Sequence, residues 1–402
     1  MNFVLVGKSV VVARKLYSVS SQNNIIVVDE SSYLDSISMP AEIQNGPYIE
    51  ISHDSTKSIA KVLQALATVS VDAVIPAFER TVTLANELAK ALNLPRIGDL
   101  GTKIFRNKAA LRQFCQPLPL NQPAYQEVNS ISQLSHFFKQ HGPLILKPTG
   151  LAGSLGVVKI TSSEQLEAKF SSSREICQKS QPKVSLIAEE MITGSEYSCE
   201  YLVNNGQVVF QNITKKFKFH NDFFVESGHL VPAIVNDNLK QNIYRMMNCL
   251  VEAADIGTAV LHAEWLVTAN NQAYLVECAG RRPGDRIVDL ITEAYGQDFL
   301  WKYCQLLANR SVVFEQKTIK FASQTYFDAQ PGRIVQIKRE DILKKYPHQL
   351  AVAVGDTVTT FSDSEKRLGY FIVSDPDYFK LEDRRKSVLQ QFKIVTNKLV
   401  TK

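Results

Sequence analysis

The first hundred residues alternate between short apolar runs and stretches with the spacing of amphipathic helices. The apolar runs lie at residues 2–6, 25–28 and 73–76, and the amphipathic stretches lie at residues 9–20 and 56–68. Apolar runs of this length indicate buried strands, and strands that alternate with helices are typical of a parallel α/β sheet. The sequence therefore predicts a Rossmann-like α/β domain at residues 1–102. Because the turn at Gly7 lacks the glycines of a dinucleotide-binding fingerprint, a nicotinamide-dependent oxidoreductase is excluded.

Three further regions are expected along the rest of the chain. Residues 103–187 combine helices, apolar strands and a glycine-rich loop, residues 188–310 contain longer strands and two long helices, and residues 311–402 form a β-rich extension. The expected helices lie at residues 103–113, 132–140, 237–254, 289–307 and 376–400. The expected strands lie at residues 184–188, 197–203, 321–327, 332–338, 351–354 and 370–373. The extension lacks a distinctive cluster of acids or histidines, so we expect it to be a structural or lid domain.

Two apolar runs that each carry a carboxylate predict a hairpin. Residues 262–267 contain Glu264, residues 273–277 end in Glu277, and a turn-like Asn-Asn pair lies between the runs. The two carboxylates can face each other on adjacent strands, where they repel unless a cation lies between them. Such oxygen ligands suit Mg²⁺. A hairpin with solvated charges explains these residues alone equally well.

Two arginines follow this hairpin directly. Arg281 and Arg282 offer guanidinium groups, which suit the oxygens of phosphates and carboxylates. Two acids, a divalent cation and arginine together make a candidate centre for phosphoryl transfer.

A lysine and a glycine-rich loop form the second candidate motif. An apolar run ends at Lys147, and Gly153, Ser154 and Gly156 follow between two predicted strands. Such a loop brings backbone N–H groups close to phosphate oxygens. The alternative is a flexible hairpin without a ligand, and the preceding lysine favours the phosphate interpretation.

The remaining candidates are weaker on residue chemistry alone. The segment that contains Glu190 and Ile192 can contact a flat base through backbone groups, and Glu196 can accept hydrogen bonds from ribose; acids at strand ends are otherwise solvated. Glu79 follows a strand of the α/β domain, where ligands bind, but an acid also suits a helix N-terminus. His229 is expected in a loop, either exposed or in contact with substrate.

Bulk composition narrows the class of protein. The net charge of +5 is spread thinly over 402 residues and shows no basic run with interleaved aromatics, so nucleic acid is not expected as a partner. The six cysteines form no CxxC pair, which argues against a zinc site and a disulfide scaffold. No apolar stretch is long enough for a membrane span or a signal peptide. We therefore expect a cytoplasmic protein.

The order of these motifs resembles that of the ATP-grasp superfamily over essentially the whole chain. The motifs that carry the resemblance are Asn107-Lys108, Leu146-Lys147-Pro148, the run from Gly153 to Val157, the run from Glu189 to Glu196, His262-Ala263-Glu264, and the run from Glu277 to Arg281. The resemblance implies an ATP-grasp fold with a Rossmann-like pre-grasp domain and a β-rich extension. It also implies ATP and Mg²⁺ as cofactors, with Mn²⁺ as an alternative ion.

The same resemblance implies a role for each motif. Lys108 and Lys147 contact ATP phosphates, the loop over residues 150–157 closes over the triphosphate, and Glu264 and Glu277 hold the metal. The adenine site is lined by Glu190 and Ile192, the ribose is bound by Glu196, and Arg281 stabilises the acyl-phosphate and the tetrahedral intermediate.

One departure from the superfamily pattern points to a particular branch. Ala279 stands where many members have an asparagine that helps to bind a second metal ion. The Glu-x-Ala-Gly-Arg form is closer to bacterial L-amino acid ligases, which join free amino acids into dipeptides. In that branch the stretch around Glu226 and His229 lines the substrate pocket. Glu79 and Arg282 complete the predicted substrate contacts.

The expected activity is therefore ATP-dependent ligation of a carboxylate to an amine, with two L-amino acids as substrates and an acyl-phosphate as intermediate. Two alternatives stay open: an ATP-grasp ligase with another nucleophile, such as a carboxylating enzyme that uses bicarbonate, and a non-catalytic ATP-binding regulatory protein. The resemblance also leaves a homodimer open.

Overall fold

The N-terminal region is a four-stranded parallel sheet flanked by helices, as the sequence predicts. The computed structural model describes residues 1–36, 47–52, 55–151, 153–180, 184–219, 225–361 and 364–397. The strands are β1 (Asn2–Val6), β2 (Asn24–Glu30), β3 (Tyr48–Ile51) and β4 (Ala73–Pro76), in the order β3-β2-β1-β4. The helices are α1 (Val10–Val19), α2 (Ser31–Ser36), α3 (Ser55–Ala65) and α4 (Val82–Ala91). The sequence analysis missed β3.

The helix predicted at residues 103–113 is wrong, because two shorter helices replace it. These are α5 (Asp99–Phe105) and α6 (Lys108–Cys115). The break is explained by Asn107, whose side chain accepts a hydrogen bond from the backbone N–H of Ala110 at 3.1 Å and so caps α6. The cap places Lys108 at the first position of α6.

A small antiparallel sheet follows. Its strands are β5 (Tyr125–Val128), β6 (Leu144–Pro148), β7 (Val158–Ile160) and β8 (Leu186–Glu190), in the order β5-β8-β6-β7. Its helices are α7 (Ile131–His141) and α8 (Leu166–Ser180), whose apolar faces pack in one core with the sheet. The boundary expected between residues 187 and 188 falls within β8.

The centre of the molecule is an eight-stranded antiparallel sheet. Its first five strands in the chain are β9 (Ser195–Asn204), β10 (Gln207–Lys218), β11 (Glu226–Val231), β12 (Ala259–Val267) and β13 (Ala273–Ala279). The C-terminal strands are β14 (Phe321–Tyr326), β15 (Gly332–Lys338), β16 (His348–Leu350), β17 (Thr357–Val358), β18 (Gly369–Asp375) and β19 (Lys393–Asn397). The large sheet has the order β13-β12-β9-β10-β11-β14-β18-β16, whereas β17, β15 and β19 form a separate sheet. The β-rich extension therefore contributes three strands to the central sheet.

Four helices pack around this sheet, and two of them correct the sequence analysis. They are α9 (Asp237–Ala253), α10 (Ile287–Tyr295), α11 (Phe299–Leu307) and α12 (Tyr378–Gln391). The single helix predicted at residues 289–307 is broken at Gly296, which adopts a left-handed conformation and lets Asp298 cap α11. The final helix was predicted too long, because β19 follows it. Residues 351–354 are not a strand, and residues 398–402 lie outside the described residues.

Candidate active site

A cavity of about 470 Å³ lies between the small sheet and the central sheet. Its volume falls in the range of small-molecule sites. Most of the predicted site residues line it: Lys108, Lys147, Gly153, Ser154, Glu190, Ile192, Glu196, Glu226, His229, Glu264, Glu277 and Arg281. We call the part around Lys108 and Lys147 the lysine end, and the part around His229 and Asp285 the histidine end.

Three predicted site residues do not line this cavity. Glu79 borders a smaller crevice next to it, together with Arg281. Gly156 packs closely against Pro148. Its φ is +75°, and a Cβ at this position would lie 2.9 Å from Cγ of Pro148. Arg282 points to the N-terminal region, where its Nη2 lies 3.4 Å from Oγ of Ser9.

At the lysine end, Lys147 belongs to a buried triad with Glu189 and Arg112. Nζ of Lys147 lies 2.7 Å from one carboxylate oxygen of Glu189, and Nε of Arg112 lies 2.9 Å from the other. Burial raises the pKa of Glu189, but the two cations outweigh it and hold the pKa below its usual value. Nη2 of Arg112 also donates to the carbonyl of Val276 at 2.6 Å, which ties this triad to β13.

The sequence analysis missed Arg112, because an arginine in a short amphipathic helix carries no signal of its own. Only the tertiary packing of α6 brings Arg112 to Glu189 on β8 and to Val276 on β13.

Lys108 connects the glycine-rich loop to the predicted metal ligands. Its Nζ donates to the carbonyl of Leu151 at 2.7 Å and lies 3.2 Å from a carboxylate oxygen of Glu277. These two contacts hold the ammonium group at the edge of the cavity.

The predicted pair of carboxylates is confirmed by the strand register. Glu264 on β12 lies directly opposite Glu277 on β13. The sequence analysis did not foresee the cation beside Glu264: Nζ of the buried Lys216 lies 2.6 Å from Glu264, 2.8 Å from Glu196 and 3.1 Å from Glu226. Burial lowers the pKa of Lys216, but these three carboxylates raise it well above its usual value. The sequence gives no clear signal for it, since the buried positions in phase with Lys216 on β10 include the polar Asn212 and Thr214.

This donor set fits a divalent cation. Oxygen atoms of Glu196, Glu226 and Glu264 all lie within 4.8 Å of one another, and Glu277 faces Glu264 on the next strand. Carboxylate oxygens are the ligands that hard divalent cations prefer. Lys216 and Lys108 contact the predicted ligands Glu264 and Glu277, so a metal ion would share these carboxylates with the two ammonium groups.

On the side that faces away from β13, Glu264 contacts a buried hydrogen-bond network. His262 lies with Nδ1 3.1 Å from Glu200 and with Nε2 3.5 Å from Glu264. Burial lowers the pKa of His262, but the two carboxylates raise it to about 9. Glu200 also accepts hydrogen bonds from Ser198 and Thr214, at 2.7 and 2.6 Å. The protonated imidazole therefore fixes the orientation of Glu264.

His229 is the largest correction within the site. It lies on β11 rather than in a loop, and its side chain is 0% exposed. The Gly228-His229 pair misled the sequence analysis; Gly228 is needed because a Cβ there would lie 2.5 Å from the carbonyl oxygen of Gln324. Among the described residues, neither ring nitrogen of His229 has a hydrogen-bond partner.

Asp285 and Arg367 form the outer wall of the histidine end. Arg367 donates to both carboxylate oxygens of Asp285, at 2.6 and 3.0 Å, and through Nε to the carbonyl of Ser364 at 2.9 Å. Burial raises the pKa of Asp285, but Arg367 lowers it to about 2. Because Ser364 also lines the cavity, the C-terminal extension contributes to this end. The sequence analysis missed Arg367, which lies far from every motif.

Arg281 lies at the edge of the cavity and is anchored from the N-terminal region. Its Nε lies 2.8 Å from a carboxylate oxygen of Glu79, and Arg106 lies 3.3 Å from the other oxygen. The second guanidinium contact, from Nη1 to the carbonyl of Arg282 at 2.8 Å, fixes the fork in place. Glu79 and Arg281 therefore lie together at this edge, and their roles stay predictions.

Comparisons with known proteins agree with this geometry. Residues 140–289 match the ATP-grasp domain family. An alanine–anticapsin ligase from Bacillus amyloliquefaciens is 25% identical over 299 residues, which cover 68% of this chain and 62% of the relative. The chain thus spans less than two thirds of the length of that curated relative.

Solved structures show the same fold over nearly the whole chain. An L-amino acid ligase from Bacillus licheniformis has a TM-score of 0.80 at 20% identity, with 98% of both chains covered. A phosphoribosylglycinamide synthetase from Anaerococcus prevotii has a TM-score of 0.70 at 15% identity, with 98% of this chain and 99% of that one covered.

Within the described ranges, no helix is both long and apolar enough to cross a bilayer. The site geometry, the domain match and the shared fold lead to one assignment. Residues 140–289 match the ATP-grasp domain, the chain has the fold of an L-amino acid ligase, and its sequence is similar to that of an alanine–anticapsin ligase.

Proposed function

We propose that this protein is an ATP-dependent ligase that joins the carboxylate of one L-amino acid to the amine of another and releases ADP and phosphate. The observation that carries the proposal is the convergence of Lys108, Lys147, Glu264, Glu277 and Arg281 on one cavity. Two sheets, helix α6 and the loop after β13 supply these groups, so their meeting is a property of the whole fold. The alanine–anticapsin ligase relative supports the choice of amino acids as substrates.

The lysine end is the proposed nucleotide site. Lys108 and Lys147 bind phosphate oxygens, Glu190 and Ile192 line the base, and Glu196 accepts hydrogen bonds from the ribose. Gly153 and Ser154 cover the phosphates with the glycine-rich loop. Its closure excludes water, which protects an acyl-phosphate from hydrolysis.

Glu264 and Glu277 would hold Mg²⁺, which neutralises charge on the transferred phosphoryl group. His262 and Lys216 keep Glu264 ionised and oriented. The Asn that helps to hold a second ion in many superfamily members is Ala279 here, so a second ion would depend on substrate oxygens and water.

Arg281 is the proposed oxyanion stabiliser. A substrate carboxylate attacks the γ-phosphate of ATP, and the amine of the second substrate then attacks the resulting acyl-phosphate. Arg281, held in place by Glu79, faces the negative charge that develops on the carbonyl oxygen. Glu226 and His229 then belong to the substrate end of the same cavity. Nothing in the position of Arg282 beside Ser9 adds to this assignment, and its contact with substrate stays a prediction.

The test is ADP release from ATP and Mg²⁺ with the twenty amino acids in pairs, and with products identified by mass. A pair-dependent signal, with a product mass equal to two amino acids minus water, supports the proposal and names the substrates. ADP release that requires bicarbonate instead of an amine would assign the chain to the carboxylating enzymes. ATP binding without ADP release under every mixture would favour a regulatory protein.

Metal removal gives a second readout of the same site. Chelation with EDTA should abolish ADP release, and Mg²⁺ should restore it. In Glu277→Gln, we expect restoration to require at least about tenfold more Mg²⁺, because one of two charged ligands is lost. Equal metal requirements in Glu277→Gln and wild type would remove Glu277 from the metal site.

A further inference from the structure

The unpaired ring nitrogens of His229 are not explained by its proposed place beside the substrate. It belongs to the cavity wall, its side chain is 0% exposed, and both of its ring nitrogens lack hydrogen-bond partners among the described residues. Burying a polar group without a partner is costly. Among the described residues, the nearest acid is Asp285, whose Oδ2 lies 3.8 Å from Nε2 of His229, beyond hydrogen-bond distance. The histidine therefore keeps a free lone pair beside the substrate end.

Amide formation creates a demand for such a lone pair. At neutral pH an amino acid carries an ammonium group, which has no electron pair with which to attack an acyl-phosphate. One proton must leave before the C–N bond forms, and a second must leave afterwards. A positioned base of neutral pKa is the efficient way to remove the first proton.

The acids of the cavity wall are poorly suited to this task. Glu226 contacts Lys216 at 3.1 Å, and Glu79, in the adjoining crevice, contacts Arg281 at 2.8 Å. The cations therefore already occupy the carboxylate groups that would have to accept the proton. Asp285 is a weak base, because Arg367 lowers its pKa to about 2 in spite of its burial.

The other histidine that lines the cavity among the described residues is also unsuited. His262 lies between two carboxylates, with Nδ1 3.1 Å from Glu200 and Nε2 3.5 Å from Glu264. Both of its ring nitrogens therefore already face an acid, and neither is available to the substrate.

We propose that His229 is the general base that takes the proton from the ammonium group of the acceptor amino acid. This inference rests on the proposed ligase function and adds a catalytic residue to it. Asp285, held by Arg367, stabilises the imidazolium that forms.

The atoms balance in two steps. His229 first takes one proton, and the amine lone pair then forms the C–N bond to the acyl carbon. The bond from that carbon to the phosphate oxygen breaks, and phosphate leaves with the electron pair. The second proton of the nitrogen goes to the departing phosphate, and His229 returns its proton to solvent.

The charges that face His229 are consistent with a neutral resting state. Burial lowers its pKa, and Lys216 and Arg367 lower it further, while Asp285 and Glu226 act in the opposite direction. The net pKa lies below the usual value, so the imidazole is unprotonated at neutral pH and ready to accept a proton.

The experiment compares two acceptors, because hydroxylamine is already neutral at neutral pH and needs no base. With ATP, Mg²⁺ and a donor amino acid, wild type should form both the hydroxamate and the dipeptide. His229→Gln should keep the hydroxamate rate within about threefold and lose at least about 100-fold in dipeptide rate, the size of general-base effects. Equal losses with both acceptors, or full dipeptide synthesis, would overturn the proposal.

Gln324 offers a matched control. It lies opposite His229 on β14, is 0% exposed, and also lacks hydrogen-bond partners for its side chain among the described residues. Gln324→Met should leave the ratio of dipeptide to hydroxamate unchanged, because it alters packing at the same place without touching the base. A change in the ratio equal to that of His229→Gln would show that packing, and not proton transfer, controls it.

The wild-type protein supplies a test that does not depend on a folded variant. Its ratio of dipeptide to hydroxamate should reach a plateau near neutral pH, where His229 is deprotonated. A ratio that continues to rise tenfold per pH unit up to the pKa of the amine itself would contradict the proposal. A wild type that forms neither product would overturn the proposed ligase function instead.

Discussion

The two ends of the cavity differ in whether their polar groups have partners. At the lysine end each cation already contacts a carboxylate or a carbonyl, as in the contact of Lys147 with Glu189, which Arg112 holds from the other side. At the histidine end, neither ring nitrogen of His229 has a hydrogen-bond partner among the described residues. The ammonium groups of the lysine end are therefore paired in the absence of a ligand, whereas the histidine end leaves the imidazole of His229 for a ligand to satisfy.

This difference shows where affinity and selectivity arise. A preformed set of charges binds a common ligand, such as a nucleotide, without reorganisation. Unpaired buried groups penalise any ligand that fails to pair with them, so they discriminate among substrates. We therefore expect changes at the lysine end to act on stability and nucleotide binding, and changes at the histidine end to act on the choice and reactivity of the amino acids.

Arg281 lines the edge of the same cavity, and its loss should have the largest effect. Arg281→Ala should lower the turnover number by roughly 100-fold or more, since one lost oxyanion contact typically raises the barrier by about 3–4 kcal/mol. The measurement is steady-state ADP release, with folding checked by thermal melting. Arg286→Ala is the control, because Arg286 follows on the same loop but pairs with Asp289 outside the cavity. Unchanged turnover in Arg281→Ala would remove it from the mechanism.

Removing the charge of Glu189 tests the ion pairing at the lysine end. Glu189→Gln leaves two buried cations, Arg112 and Lys147, without their shared carboxylate, and should lower the free energy of unfolding by about 3–5 kcal/mol. Denaturant unfolding measures this loss. Glu190→Gln, one residue further along β8 and partly exposed, should change the free energy by less than about 1 kcal/mol. Similar values for the two variants would mean that the triad does not stabilise the lysine end.

The wall of the histidine end should show a pH signature. Arg367 lowers the pKa of Asp285 to about 2 in the folded state, although burial acts in the opposite direction. A lowered folded-state pKa stabilises the protein above the unfolded-state pKa, and this contribution of about 2 kcal/mol is lost as pH falls towards 2. The stability difference between wild type and Asp285→Asn should therefore shrink between pH 5 and pH 3. A difference that stays constant over this range would contradict the assigned pKa.

The glycine-rich loop should give the smallest effect on stability and a distinct effect on rate. Gly153 has a φ of +67°, which proline cannot adopt, and a Cβ there would meet nothing within 4 Å. Gly153→Pro should lower turnover by about tenfold through impaired closure. Because residues 153–155 are exposed, the loop can relieve the strain by local rearrangement, so the loss in free energy of unfolding should be limited to about 1 kcal/mol.

Gly142 provides the matched position for this test. It also has a positive φ and open space around it, but it ends α7 and does not line the cavity. The alanine variants at positions 142 and 153 should cost similar stability, and only Gly153→Ala should alter turnover. Full activity and unchanged stability in Gly153→Pro would contradict the role of the loop.

The two ends also differ in how far the sequence predicts them. Lys147, the glycine-rich loop and the hairpin of Glu264 and Glu277 are local signals, because each consists of a few residues at the end of an apolar run. Strand alternation then places the two carboxylates opposite each other, as the structure confirms. Local patterns of this kind also predicted β1, β2, β4, α1 and α9.

The histidine end is built from residues that are distant in sequence. His229, Gln324, Asp285 and Arg367 meet only because β11 pairs with β14 and the C-terminal extension joins the central sheet. The periodicity of a single strand does not determine which strands pair with it. The same limit explains Arg112, whose partner Glu189 is 77 residues away, and the two helices broken at Asn107 and Gly296, where a local cap outweighed the apolar pattern.

The most direct test of the central claim follows an oxygen atom. The donor amino acid is labelled with ¹⁸O in both carboxylate oxygens, and the phosphate released during amide formation is analysed by mass. Because an acyl-phosphate is cleaved between carbon and oxygen when the amine attacks, each phosphate should carry one ¹⁸O for each amide formed. Unlabelled phosphate would show that water, and not a substrate carboxylate, accepts the phosphoryl group, and it would contradict the ligase mechanism.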